Sequence, residues 1–186
     1  MKQNTFFYVL RLAMTLLAIT AVMAAALSLV NQLTAPVIAE SNEAKIQEAV
    51  GKVLPGGGTP VEFADDTGMV TMVWASGKGY ALQVEPSGFD GTITMMVGVG
   101  TDGKVLGISV ISHTETAGLG AVAGGENAKG QAFREQFVGK DGFLAVTKDG
   151  GDIDAITGAT VTSRAVCKGV NAALACVEKL QQEVQP

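Results

Sequence analysis

Histidine occurs once in this chain, at His113, and cysteine twice, at Cys167 and Cys176. A thiolate zinc site or an iron–sulfur cluster needs several closely spaced ligands, and there is no CxxC pair to supply them. The two cysteines fall on one expected helix, on opposite faces and about 13 Å apart along its axis, too far for a mutual disulfide. They read as small buried hydrophobes. No residue is assigned a catalytic role as nucleophile or general base, and no metal site is expected. His113 stands alone at an expected strand end, where fixing a loop is its natural duty.

Acidic residues are missing from the first thirty positions, and so, from Leu12 to Val30, is every charge. Nineteen such residues rise about 1.5 Å each, enough to cross most of a ~30 Å hydrocarbon core, so the stretch reads as an uncleaved transmembrane helix. It is too long for the usual h-region of a secretory signal, although Ala24, Ala25 and Ala26 resemble a small-residue cleavage site. Lys2 and Arg11 precede the span, while Glu40 and Glu43 follow it. The positive-inside bias therefore places residues 1–11 in the cytoplasm and everything after the span on the outer face of the plasma or inner membrane. Removing those two cations from the 13 basic residues leaves 11 against 18 acidic ones, a formal charge of −7. Nucleic acid and anionic headgroups are poor partners for such a domain.

Beyond the span the pattern is that of an α+β domain with a mainly antiparallel sheet. Residues 31–60 read as a helical connector, in which Ser41 or Asn42 caps a helix bearing Ile46, Val50 and Val53 and ending at Pro55. Residues 61–186 form the domain proper. Strands are expected at Met69–Ala75, Tyr80–Glu85, Thr92–Val99 and Lys104–Ser112, the last two joined by a hairpin at Thr101–Lys104. Phe133 and Phe137 lie at helical spacing, Phe143–Val146 suggests a short strand, and a C-terminal helix runs from about Thr162 to Gln182, with Thr162 or Ser163 as its cap.

The stretch Asp152–Val166, DIDAITGATVTSRAV, leads into that last helix. A helix N-terminus presents unpaired N–H groups and the positive end of a dipole, a ready seat for phosphate. Gly158 and Ala159 let a bulky ligand approach closely, and Thr160 sets a hydroxyl where the phosphate would rest. An ordinary strand-to-helix turn with a capping threonine has the same pattern, and the residues alone leave both readings open.

The heptad Asp154-Ala155-Ile156-Thr157-Gly158-Ala159-Thr160 resembles the flavin-transferase recognition motif D-x-x-(S/T)-G-A-T and matches each specified position. The segment His113–Gly120, HTETAGLG, resembles the H-x-E-T-P-G-L-G loop of FMN-binding domains in the Rnf and Nqr electron-transfer complexes, with Ala117 in place of the proline. One N-terminal membrane helix, an exported domain and these two motifs in order resemble the layout of the G subunit of Rnf complexes, a relative of the C subunit of Nqr.

That resemblance implies FMN held covalently as a phosphoester on Thr160, with Thr157, Gly158 and Ala159 shaping the attachment turn. Glu115, Thr116, Gly118 and Leu119 would line the flavin ring. The implied function is electron transfer within an Rnf-type ferredoxin:NAD oxidoreductase coupled to Na⁺ or H⁺ translocation. The implied partners are the other membrane and redox subunits, and a flavin transferase during maturation. The chain alone would then be an electron-transfer subunit rather than a complete enzyme. A C-type subunit of a Na⁺-pumping NADH:quinone reductase and a free-standing exported FMN carrier are the neighbouring alternatives. A flavin-free exported binding or scaffold module is the alternative from another class.

Overall fold

The computed structural model describes residues 2–184. The chain falls into two compact units, residues 1–44 and residues 45–186. Helix α1 is Lys2–Val53, uninterrupted at Ser41, where the sequence suggests a fresh start. Pro36 lies inside it. A single proline costs one ladder hydrogen bond, and neither Ser41 nor Asn42 need act as a cap when the preceding residues are already helical.

In the first unit, from Leu12 to Val30 every side chain is exposed. Leucine, isoleucine, valine and methionine exposed at this density call for an apolar medium, and the helix is long and apolar enough to cross a membrane. The span's few polar groups are compatible with lipid. Thr15 Oγ1 donates to the Leu12 carbonyl at 2.8 Å and Thr20 Oγ1 to the Leu16 carbonyl at 3.0 Å, so both hydroxyls have an acceptor within the helix.

The second unit is built on a five-stranded antiparallel meander, β1 (Thr59–Pro60), β2 (Val70–Ser76), β3 (Gly79–Val84), β4 (Thr94–Gly100) and β5 (Val105–Ser112), in that spatial order. Strand alternation sends side chains to two buried faces. Val73, Leu82, Val84, Met95, Val97 and Val99 join one core, and Trp74, Ala81 and Met96 join the other. The first core is closed by helix α3 (Thr160–Val184) through Val166, Val170, Ala173 and Val177, and by Phe133 of α2 (Ala128–Glu135) with Phe137 just beyond it. The second is closed by the last turns of α1, whose Ala49, Val50 and Val53 pack there with Leu54. Both cysteines are buried on α3, where Cys176 Sγ donates to the Ala64 carbonyl at 3.8 Å.

Four of the strands and the hairpin at Thr101–Lys104 lie where the sequence pattern places them; in the hairpin Gly100 N–H donates to the Lys104 carbonyl at 2.8 Å. Two further expectations need correction. Phe143–Val146 is not a strand: only Val146 pairs, in an isolated parallel bridge with Ile153, while Phe143 is exposed. Helix α3 starts at Thr160, so Thr162 and Ser163 lie within its first turn rather than capping it.

Candidate functional site

Four segments meet at the N-terminus of α3. The first is the approach to the helix. Gln136 grips the backbone of Asp154 from both sides, its Oε1 accepting from Asp154 N–H at 2.7 Å and its Nε2 donating to the Asp154 carbonyl at 3.2 Å. Further along, Ile156 N–H donates to Ser163 Oγ at 3.0 Å, and Ser163 Oγ donates to the Ala159 carbonyl at 2.9 Å. Ser163 is fully buried and fixes the turn from inside the helix. Gly158 has φ +78°, left-handed backbone that L side chains rarely adopt, and a Cβ there would stand 2.9 Å from Leu119 Cδ2. Glycine is thus favoured by conformation, while the end of the half-exposed Leu119 side chain lying across it would only have to shift to admit a Cβ.

The residue preceding α3 is Ala159, which has no side-chain acceptor to cap the helix. The N–H groups of Thr160, Val161 and Thr162 find no acceptor among the described residues. Three donors without an acceptor thus lie together at the positive end of a 25-residue helix, beside the cavity that residues 160–162 line.

The second segment is the loop after β5. Glu115 is only 7% exposed, and both of its oxygens are engaged. Oε1 accepts from the N–H groups of Phe89 at 2.8 Å and Asp90 at 3.0 Å, and Oε2 accepts a short hydrogen bond from the Thr162 hydroxyl. Burial opposes ionisation of this carboxyl. The donors from Thr162, Asp90 and Phe89, with the nearby His113, outweigh it and hold the group below the usual glutamate range. Glu115 thus ties the 87–91 turn, which is the third segment, to α3. Thr114 Oγ1 adds a 2.6 Å bond to the Asp90 carbonyl.

The fourth segment is a short 3₁₀ turn, Thr147–Asp149. Asp149 accepts from Arg164 of α3 through two 2.6 Å bonds, and these hold its carboxyl below the usual aspartate range. This bidentate pair sets the turn against the helix, and Lys148 Nζ donates to Thr160 Oγ1 at 3.3 Å.

Together these segments enclose a cavity of about 320 Å³, within the range of small-molecule and cofactor sites. Of the expected site residues, Glu115, Thr116, Leu119, Gly158, Ala159 and Thr160 line it. Gly118 and Thr157 do not; they line an adjoining depression of about 370 Å³ beside Gln136 and Asp154. His113 lies beside Gly124, its Nδ1 buried without a hydrogen-bond partner among the described residues, and does not line the cavity. Phe89, Gly120, Lys148, Val161 and Thr162 also line the cavity and were not expected as site residues, Thr162 having been read only as a helix cap. Phe89 is 71% exposed, Val161 45% and Leu119 44%, so three exposed apolar side chains stand at the mouth of the cavity, beside the polar side chains of Thr116, Lys148 and Thr160. Such a mouth suits a ligand with a flat apolar part and an anionic end.

Comparison with known proteins accords with this geometry. Residues 88–175, which include every cavity-lining residue, match the family model of the FMN-binding domain. The chain is 34% identical to the G subunit of the Na⁺-translocating ferredoxin:NAD⁺ oxidoreductase complex of Acetobacterium woodii, over 94% of each chain. It is 46% identical to the G subunit of the proton-translocating ferredoxin:NAD⁺ oxidoreductase complex of Clostridium ljungdahlii, over 51% of each chain. The G subunit of the ion-translocating oxidoreductase complex of Shewanella amazonensis is 34% identical over 86% of this chain and 83% of its own. With its apolar N-terminal helix, antiparallel sheet and C-terminal helix, the chain belongs to the G-subunit family of Rnf-type ion-translocating oxidoreductase complexes, built on an FMN-binding domain.

Proposed function

We propose that this chain is the FMN-carrying electron-transfer subunit of an Rnf-type complex, with the flavin phosphate esterified to Thr160. One observation carries the reading. The last hydroxyl of the motif stands in the first turn of an uncapped helix, on the wall of a cavity whose mouth bears three apolar side chains. An FMN phosphate fits the N–H groups of residues 160–162, and its ring system fits the surface offered by Phe89, Leu119 and Val161.

Bound flavin would supply one-electron chemistry that no side chain here offers. The chain's own residues bind, orient and shield. Gly158 and Leu119 set the attachment turn, and Glu115 pins the 87–91 turn to α3 so that the cavity is formed before the cofactor arrives. A covalent ester keeps the cofactor in place however weak its non-covalent contacts. The relatives divide between sodium- and proton-translocating complexes, so the partners are the other subunits of such a complex, with a flavin transferase during maturation. Lys2 and Arg11 hold the N-terminus in the cytoplasm, and the domain from about residue 61 lies on the outer face.

Intact-mass measurement of chain produced with a flavin transferase tests the attachment. The wild type should show an FMN-sized increment, Thr160→Ala none, and Thr157→Ala at least part of it. An increment that survives in Thr160→Ala would overturn the attachment point. A wild-type chain with no flavin at all would favour the scaffold module.

A further inference from the structure

Lys148 is the residue of the cavity whose chemistry is still unexplained. Its ammonium makes one hydrogen bond, to Thr160 Oγ1 at 3.3 Å, and among the described residues no carboxylate lies within ion-pair distance of it. Its neighbour Asp149 is already held by Arg164, which contributes both of its 2.6 Å bonds to that acid. Lys148 and Asp149 of the turn, Arg164 of α3 and the buried Glu115 thus bring two cations and two anions to the start of α3, and both anions are already engaged, Asp149 by Arg164 and Glu115 by Thr162 and the 87–91 turn, so that the Lys148 ammonium is the charge left without an opposite partner among the described residues. An ammonium placed beside a hydroxyl, with its adjacent acid occupied by a third group, is an arrangement that awaits an anion.

We propose that Lys148 is the charge partner of the phosphate borne at Thr160, a positioning residue that, with the N–H groups of residues 160–162, seats the anionic end of FMN. The inference rests on the reading of Thr160 as the attachment point, and it adds the source of selectivity for a flavin phosphate over an unphosphorylated flavin. The Asp149–Arg164 pair is the brace. It stops Asp149 from neutralising Lys148 and holds the 3₁₀ turn on the helix, so that the ammonium stays over Thr160. Lysine serves here as a point charge, and arginine at the same position would keep that charge.

The test uses full-length chain in detergent, made without a flavin transferase so that Thr160 is unesterified, and measures the binding of FMN and of riboflavin by quenching of flavin fluorescence. Riboflavin has the ring system without the phosphate. The wild type should bind FMN more tightly than riboflavin. Lys148→Gln should weaken FMN about tenfold while leaving riboflavin within about twofold, and Lys148→Arg should restore most of the difference. Lys148 is exposed, so melting of both variants should follow the wild type.

Three results overturn the inference: wild type that prefers neither flavin, Lys148→Gln that keeps the wild-type preference, and equal loss of both ligands with a lowered melting point, which would mark Lys148 as structural. The mass measurement on transferase-loaded chain is independent. If the increment is present on the wild type and absent from Thr160→Ala, while Lys148→Gln keeps the preference for FMN, attachment stands and the role of Lys148 falls. If the wild type carries no increment, both fall.

Discussion

Both carboxylate oxygens of Glu115 are occupied by groups of the chain itself, two N–H donors from the 87–91 turn and the Thr162 hydroxyl. Its contact with any ligand is therefore secondary to its work as a tie between segments 25 and 47 residues away. Glu115→Gln keeps the shape but loses the charge that strengthens three hydrogen bonds, and should cost about 1–3 kcal/mol of stability at neutral pH. The pH dependence follows from the direction of the shift. Because the folded carboxyl ionises below its ordinary value of 4.5, its contribution is fully present above that pH and is lost as pH falls through the lower, folded value. Urea unfolding of wild type and Glu115→Gln should give a constant gap from about pH 8 to pH 5 and a narrowing one below about pH 4.5. A gap that persists unchanged to pH 3 would mean that the glutamate is not an anion anchored in the fold. Thr160 and Gly158 were legible in the sequence because a contiguous heptad specifies them. The tie through Glu115 was not, since the residue types at positions 89, 90 and 162 carry no mark of pairing with a glutamate so distant. Lys148 was hidden for a related reason: a lysine in a polar turn looks like any solvated charge until Asp149 and Arg164 are seen to pair.

At the scale of elements, strands were readable because a sheet buried on both faces leaves dense β-branched and apolar runs, as in β3 and β4. Phe143–Val146 has the same composition and is no strand, because composition cannot report that no neighbouring strand is there to pair with it. The start of α3 was misplaced by two residues for a physical reason. Thr162 and Ser163 are good capping types, but their hydroxyls are directed to Glu115 and to the Ala159 carbonyl, and the helix begins with donors uncapped instead. The approach of α1 to the sheet was likewise unreadable, although the residue that permits it was in view. Gly98 of β4 lies under the last turn of α1, where an added Cβ would press on the Val53 carbonyl and stand 2.9 Å from Val53 Cβ. That contact is backbone against backbone, so it cannot be relieved by a side-chain rotation. Gly98→Ala should therefore lower stability by about 1–3 kcal/mol despite the better strand propensity of alanine, read as a drop in denaturation midpoint. A wild-type midpoint would show that the last turn of α1 can shift from the sheet without cost.

For the whole molecule, the chemistry divides between an anchor that offers nothing but apolar surface and a domain that offers a site. No ionisable residue lies between Leu12 and Val30, so nothing in the span marks a path for an ion or proton. The anchor decides on which side of the membrane the flavin would work. Lys2 and Arg11 are the only charged side chains ahead of the span, and the first after it are acidic, a bias that favours retention of the N-terminus in the cytoplasm. An export-dependent reporter fused after Pro186 should then be active, and the same reporter fused before Met1 should be silent. Replacing Lys2 and Arg11 together with glutamine should reduce the activity of the C-terminal fusion, because it removes the bias without altering the apolar run. Sequencing the mature N-terminus separates this from export by cleavage, since a chain beginning just after Ala26 would be a released carrier. Activity of the N-terminal fusion alone would put the site on the cytoplasmic face, and the orientation drawn from two cations would have to be reversed.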